Sequence, residues 1–334
     1  MLAPGVGTNY HILDTNLIFI EIVIPPAPLI ERGRPFVIEA SDGYCAIYAH
    51  GKSLFLRGCC SDGMRVEEVR HTHETTLGRL SPDRSMLAIG DVHGKVRVVC
   101  QEDGKWTKTV FEQSILGGRI IDMCWSPDSR ALAACGEGRG TYCTAFTLEG
   151  KGLGELAGPT KACTSISWSS QNDSLAVASD DFCVYLYSGK PFKLDKTLRD
   201  HSRFVTCVKF SADGQQLASS GADGCIFLYS RDGRKRICQL KDGESGITGL
   251  DWIGDEELID SSTSGAIRKW SLPRREITER TNFLKQQVLS IVPHENKLIA
   301  ALLDGSILIL SSSTLKVQDA FLVRHSFIAA INML

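Results

Sequence analysis

The chain lacks the long apolar run that a membrane-spanning helix requires. Its most apolar early stretch, residues 17–24 (LIFIEIVI), is short and contains Glu21, whereas a spanning helix needs about 20 predominantly apolar residues. No Lys or Arg precedes this stretch, so it is also a poor signal peptide. We therefore interpret residues 17–24 as one β-strand.

A strong excess of one charge is also missing. The 37 Lys and Arg residues and 39 Asp and Glu residues leave a net charge of −2. Without a basic excess, no overall field attracts nucleic acid or an anionic membrane surface. Partner choice must come from local patches, and we expect neither nucleic acid nor a membrane among the partners.

Recognisable metal, redox and catalytic patterns are absent as well. Apart from Cys59-Cys60, no two of the 12 cysteines are close enough to form a metal knuckle or a redox motif. The eight histidines show no metal-binding spacing, and no Ser/His/Asp arrangement stands out from the turn residues. The sequence predicts a non-enzymatic protein with no cofactor, metal or small-molecule substrate, in a reducing cytoplasm.

What the chain does contain is one repeated unit. In its clearest copy, residues 205–210 (VTCVKF), 216–221 and 225–229 (CIFLY) form strands, which are joined by turns at 211–214 and at Asp223-Gly224. Asp-Gly turns tolerate positive φ and close tight hairpins. Seven copies recur about 40 to 44 residues apart, and the unit is predicted to be an antiparallel β-meander.

This period, with four short strands per unit and no helical pattern, is typical of a WD-repeat propeller. The fold class predicted is all-β: a seven-bladed β-propeller with four-stranded antiparallel blades. We expect residues 1–34 to form an N-terminal extension with a strand that could close the ring, and residues 35–323 to form the propeller. Residues 324–334 are expected to begin an eighth repeat or to supply a closing strand.

Several strings are more specific than the repeat and resemble the actin-interacting protein 1 family in order and spacing. They are residues 31–33 (ERG), 89–92 (IGDV) with 94–95, 136–139 (GEGR), 179–181 (SDD), 191–193 (PFK) and 200–205 (DHSRFV). The resemblance spans about residues 30–334 and covers only the first of that family's two propellers. It implies binding to ADF/cofilin-decorated actin filaments, promotion of their disassembly, and a place in the actin cytoskeleton.

The resemblance also implies filament-binding positions. Glu137 matches the acid of the GEGR loop, Asp180 the first aspartate of the SDD loop, and Phe204 the aromatic after the HS-x motif. Leu194 falls where the family has a second phenylalanine, and Phe192 is a further exposed aromatic expected at an inter-blade loop. These five residues are the predicted protein-binding site.

Three of these assignments have a structural alternative. Phe192 and Phe204 could pack between blades, and Asp180 could serve its turn, as we expect Asp181 to do because it aligns with Asp223. His201 is expected to be a buried partner of Asp223 and a serine. For the whole chain, the alternative function is a generic scaffold subunit of a multiprotein complex without actin activity.

Overall fold

A computed structural model describes residues 10–13, 19–22, 39–41, 44–60, 63–243, 245–281, 286–304 and 306–321. These residues form 29 β-strands. Seven sheets of consecutive strands follow one another along the chain, each with antiparallel neighbours. None of the described segments forms a helix that could cross a membrane. The prediction of an all-β, seven-bladed propeller is confirmed.

The strands are numbered in chain order. An N-terminal pair, β1 (Tyr10–Leu13) and β2 (Phe19–Ile22), forms a two-stranded sheet. Blade 1 contains β3 (Glu39–Ser41), β4 (Tyr44–His50), β5 (Ser53–Cys60) and β6 (Gly63–Arg70). Blade 2 contains β7 (Thr75–Leu80), β8 (Met86–Asp91), β9 (Lys95–Glu102) and β10 (Lys105–Ser114). Blade 3 contains β11 (Ile120–Trp125), β12 (Ala131–Gly136) and β13 (Cys143–Thr147).

The remaining blades have four strands each. Blade 4 contains β14 (Cys163–Trp168), β15 (Ser174–Ser179), β16 (Val184–Ser188) and β17 (Lys193–Leu198). Blade 5 contains β18 (Val205–Phe210), β19 (Gln216–Gly221), β20 (Cys225–Ser230) and β21 (Arg236–Lys241). Blade 6 contains β22 (Ile247–Ile253), β23 (Glu257–Ser262), β24 (Ile267–Ser271) and β25 (Glu276–Thr281). Blade 7 contains β26 (Val288–His294), β27 (Lys297–Leu302), β28 (Ile307–Ser311) and β29 (Val317–Phe321).

Blade 3 departs from the four-stranded pattern. After β13, the chain makes only isolated bridges, from Phe146 to Gly152 and from Gly154 to Phe192 of blade 4. Gly150 and Gly154 in this segment have positive φ, and glycine weakens a strand because it loses more backbone entropy and offers no side chain to pack. The outer position of blade 3 is therefore occupied by irregular chain.

Hydrophobic packing between neighbouring blades holds the ring together. Each of the seven interfaces has its own buried apolar cluster, because the central strands are apolar on both faces. The interface that closes the ring joins Tyr48 and Phe55 of blade 1 to Ile299, Ile307 and Ile309 of blade 7. Within the described residues, closure therefore rests on side-chain packing between first and last blades.

The strand expected at residues 17–24 is present as β2, which pairs with β1 and not with a blade strand. Residues 324–334, expected to begin an eighth repeat or to close the ring, lie outside the described residues.

The first strands of neighbouring blades lie side by side around the axis. They line a central channel of about 470 Å³. We call the edge that carries the loops entering the first strands, and the turns between second and third strands, the upper rim. The opposite edge, with the turns between first and second and between third and fourth strands, is the lower rim.

Candidate protein-binding rim

A repeated backbone hydrogen bond organises the upper rim. In blades 2 to 7, the residue after the second strand donates its N–H to the carbonyl of a residue just before the first strand; we call these two residues a rim pair. The rim pairs are Val92–Glu74 (3.1 Å), Glu137–Arg119 (2.9 Å), Asp180–Ala162 (2.9 Å), Ala222–Phe204 (3.0 Å), Thr263–Gly246 (2.9 Å) and Leu303–Gln287 (3.0 Å).

Three of the five predicted site residues belong to these rim pairs. Glu137 lies in the pair of blade 3, Asp180 in that of blade 4 and Phe204 in that of blade 5. The three blades are consecutive, so the three side chains share one arc of the upper rim. The other members of these three pairs, Arg119, Ala162 and Ala222, lie on the same arc.

The loop of Glu137 lies directly on the chain that enters blade 3. A side chain at Gly136 would place its Cβ 2.0 Å from the Arg119 carbonyl oxygen, and one at Gly138 would lie 1.9 Å from the Thr141 carbonyl oxygen. Both positions therefore need glycine. This close approach leaves the Glu137 side chain exposed at the rim.

Adjacent acids in blade 4 have different environments. Asp181 accepts hydrogen bonds from the Thr160 N–H (2.8 Å), the Thr160 hydroxyl (3.0 Å) and the Tyr185 hydroxyl (2.9 Å). Burial opposes ionisation of Asp181, but these hydrogen bonds outweigh it and lower the pKa of its carboxyl group. The expected turn role of Asp181 is confirmed.

Asp180 shows the opposite shift. Burial raises the pKa of the Asp180 carboxyl group, Lys161 opposes the rise, and the negative charges of Asp181 and Glu137 add to it. The side chain is half-buried. A cation that replaced water above Asp180 and Glu137 would relieve this repulsion, so the pair is suited to bind a basic group of a partner.

Two exposed aromatic rings flank these acids. Phe204 is 47% exposed and Phe182, in the turn after Asp181, is 41% exposed. The Lys161 ammonium lies 5.6 Å from the centroid of the Phe182 ring, within cation–π distance. Exposed aromatics of this kind are frequent anchors of protein interfaces.

Phe182 was not among the residues predicted from the sequence. Its φ is +73°, a conformation that costs a non-glycine residue about 1 to 3 kcal/mol. Gly224 holds the matching position of blade 5, with φ +74°. The sequence signal was a phenylalanine in a turn position where other copies have glycine.

The structure contradicts the expectation that Phe192 is exposed. Its side chain is 2% exposed and its ring centroid lies 5.4 Å from that of Trp168. The Phe192 N–H donates to the Leu153 carbonyl (2.8 Å). Phe192 is buried because the irregular chain at the outer edge of blade 3 covers it, so it is a core residue of the interface between blades 3 and 4.

Leu194 is exposed but lies away from the arc. Its side chain is 43% exposed, and it pairs with Tyr187 near the lower end of β16. The Asp180 turn precedes Val184 at the upper end of β16, so the three residues of strand from Val184 to Tyr187, at about 3.3 Å each, separate the two levels by about 10 Å. The structure therefore groups Glu137, Asp180 and Phe204, and places Phe192 and Leu194 toward the lower rim.

The expected role of His201 is confirmed. Its Nδ1 lies 3.1 Å from the Asp223 carboxylate and its Nε2 lies 2.9 Å from the Ser219 hydroxyl. Burial opposes ionisation of Asp223, but hydrogen bonds from His201 and the Ser202 N–H lower its pKa to about 2. The network fixes the upper-rim turn of blade 5.

The central channel holds charged groups that pair with one another. Arg79 donates to Asp122 (2.7 Å), and the Lys209 ammonium lies 3.7 Å from Asp251. Burial raises the pKa of the Cys124 and Cys207 thiols, which keeps them neutral and weakly nucleophilic. Paired charges and neutral thiols are consistent with a channel whose side chains stabilise the ring.

A family model described as WD domain, G-beta repeat, matches residues 150–188 and 192–230. These ranges cover most of the irregular segment, all four strands of blade 4 and the first three strands of blade 5.

The chain is similar to WD repeat-containing protein 1-B of Xenopus laevis, with 31% identity over 197 residues. It is also similar to actin-interacting protein 1 of Drosophila melanogaster, with 30% identity over 188 residues. The matches cover 56% and 53% of this chain, and 31% and 30% of these relatives. The chain thus spans about a third of the length of the relatives it matches.

Solved propellers share the fold. The computationally designed Ika8 protein has a TM-score of 0.70 and 14% identity, covering 88% of this chain and 89% of its own. Sqt1 of Chaetomium thermophilum, solved with the N-terminus of ribosomal protein L10, has a TM-score of 0.70 and 15% identity, covering 80% of each chain. At these identities the likeness concerns the fold alone.

Proposed function

For a WD-repeat propeller homologous to WD repeat-containing protein 1 and actin-interacting protein 1, we propose an actin-regulatory binding function. The upper rim of blades 3 to 5 binds ADF/cofilin-decorated actin filaments and promotes their disassembly in the cytoplasm. The protein acts by binding and catalyses no reaction.

The observation that carries this proposal is the arc of rim pairs. Glu137, Asp180 and Phe204 come from three different repeats, and each is taken from a different string of the family resemblance. They nevertheless occupy the rim pairs of three consecutive blades. A shared surface is what a single docking site requires.

The arc combines the features of a binding surface. The acids Glu137 and Asp180 attract basic groups of the partner, while Phe182 and Phe204 supply apolar area that excludes water at the centre. The rigid sheets below hold these side chains in place before binding, so little conformational entropy is lost.

Co-sedimentation with actin filaments, with and without cofilin, tests the proposal. We expect the chain to pellet in a cofilin-dependent manner. The triple variant Glu137→Ala, Asp180→Ala, Phe204→Ala is expected to lose at least 10-fold in affinity, since each removed contact at an interface centre costs about 1 kcal/mol or more.

A matched control variant distinguishes the loss of rim contacts from a general effect of changing surface residues. The triple variant Glu102→Ala, Glu279→Ala, Val110→Ala also removes two exposed acids and one exposed hydrophobic side chain, but outside the arc. It should bind as the wild type does. Pelleting without cofilin dependence, or equal loss in both variants, would contradict the proposal.

Affinity purification distinguishes the scaffold alternative. Actin and cofilin among the leading partners support the actin-regulatory function. An unrelated assembly in stoichiometric amount, with no actin, would favour a scaffold subunit.

A further inference from the structure

We propose that the upper rim of blade 2 contains a binding site for a divalent transition-metal ion, formed by His71, His73 and Asp91. The ligand atoms of these three side chains lie within 4.8 Å of one another. Imidazole nitrogens and a carboxylate oxygen are the ligand types that suit Zn²⁺.

The distances around Asp91 already approach those of a metal site. Asp91 Oδ2 lies 3.3 Å from His71 Nε2 and 3.1 Å from His73 Nδ1. Ligands at about 2.0 to 2.2 Å from a tetrahedral zinc are about 3.3 Å apart. Only the two histidine nitrogens need to approach each other, and His73 can move because its side chain is 44% exposed.

The site has a rigid base. The side chains of His71 and Asp91 are fully buried, and Asp91 Oδ1 accepts hydrogen bonds from the backbone N–H groups of His93 and Lys95, both at 2.8 Å. These bonds orient the carboxylate so that Oδ2 faces the two imidazoles. Hydrogen bonds to the second oxygen of a ligand carboxylate are typical outer contacts of metal sites.

Blade 5 shows how unusual this arrangement is. Strand register aligns Thr75 with Val205 and Gly78 with Val208, so His71 corresponds to His201. In blade 5 the second ring nitrogen of that histidine binds Ser219. The matching residue of blade 2 is Ile89, and the buried His71 Nδ1 has no hydrogen-bond partner among the described residues.

The aspartate also stands at a different position in the two blades. Asp91 corresponds to Gly221, where an added Cβ would lie 2.6 Å from His201 Nδ1. His73 corresponds to Arg203, and His93 takes the place of Asp223. Blade 2 therefore lacks the His–Ser–Asp network of blade 5. In its place, His71 and His73 lie beside Asp91, and His93 lies next to them.

A fourth ligand is available nearby. His93 is exposed, and its ring centroid lies 4.9 Å from that of His73. The neighbouring cations have partners of their own, since Lys95 pairs with Glu112, and Arg97 donates to the Thr109 hydroxyl and the Arg70 carbonyl. His93 or a water molecule can complete a tetrahedral site that is open to solvent.

The sequence predicted no metal site, because its histidines lack the usual spacing. The two histidines lie in the loop before β7 and Asp91 is the last residue of β8, and only the fold brings them together.

Isothermal titration of the reduced full chain with Zn²⁺, supported by metal analysis after dialysis, tests the site. We expect one Zn²⁺ per chain in the wild type. His73→Ala should weaken binding at least 10-fold without unfolding the chain, because His73 is partly exposed. His294→Asn, which removes one imidazole from the lower rim, should bind Zn²⁺ as the wild type does.

Two results would overturn the site. One is the absence of Zn²⁺ binding at micromolar concentration. The other is binding that His73→Ala leaves unchanged, which would assign the ion to cysteines or to other groups. Asp91→Asn, with folding checked by circular dichroism, provides a second variant and should also weaken binding at least 10-fold.

Discussion

Two phenylalanines on opposite rims of blade 4 differ strongly in the exposure of their side chains. On the upper rim, Phe182 is 41% exposed in a turn with positive φ; on the lower rim, Phe192 is 2% exposed against Trp168. Both phenylalanines follow a strand within a few residues. The difference in exposure comes from the neighbouring chain. The irregular segment at the outer edge of blade 3 covers Phe192, whereas no described segment buries Phe182 as completely. Whether these turn side chains of blade 4 are exposed therefore depends on whether a segment of the neighbouring blade covers them.

Truncating Phe192 is expected to have the largest effect on stability. Phe192→Ala removes a ring from the interface between blades 3 and 4, and such changes cost about 3 to 5 kcal/mol. Urea unfolding should show a lower midpoint, while the binding affinity of the folded fraction stays at the wild-type value. A loss below about 1 kcal/mol would contradict the burial of this ring.

Acid should weaken the upper-rim turn of blade 5 more than a lower-rim turn. Because the folded pKa of Asp223 is about 2 and its usual value is 3.8, its stabilisation is complete above about pH 4 and is lost as the pH falls toward 2. The shift corresponds to about 2 kcal/mol.

Urea unfolding at several pH values measures this effect. The destabilisation caused by Asp223→Asn at pH 7 should shrink by about 2 kcal/mol at pH 2. The comparison variant is Asp213→Asn on the lower rim. Hydrogen bonds from the Ser211 hydroxyl and the Gln215 N–H also lower the pKa of that carboxyl group, but its side chain is exposed, so water screens the effect and the pH dependence should be smaller. Equal pH dependence in the two variants would contradict the difference between the rims.

Relieving the turn strain at Phe182 tests whether it is retained for binding. Phe182→Gly removes the cost of a positive φ and should leave stability unchanged or raise it by up to about 1 kcal/mol. It should also weaken filament binding in the co-sedimentation assay. Improved stability with unchanged binding would show that Phe182 is not a contact.

The smallest effect is expected at Leu194. Leu194→Phe places an aromatic ring where the resembled family has one, and this exposed change should alter stability by less than about 0.5 kcal/mol. Because Leu194 lies toward the lower rim, binding should also stay the same. A clear gain in affinity would extend the contact surface down the side of blade 4.

The fold could be predicted from the sequence because its signals are local. Asp223-Gly224 and its copies mark the turns, and the strands between them are short and apolar. Glu137 and Asp180 hold equivalent positions after the second strands of successive repeats, and Phe204 lies before the first strand of the next repeat, so their shared arc follows from the repeat. The burial of Phe192 could not be predicted, because its cover comes from glycine-rich chain in the preceding blade. The cluster of His71, His73 and Asp91 joins the loop before β7 to the end of β8, which only the fold brings together.

Amide hydrogen exchange tests the central claim most directly. The chain would be compared alone and bound to cofilin-decorated actin filaments. We predict slower exchange in the upper-rim loops at residues 137–142, 180–183 and 199–204, and unchanged exchange in the lower-rim turns at 189–192 and 231–235. Protection confined to the lower rim, or no protection in the three upper-rim loops, would contradict binding through this arc.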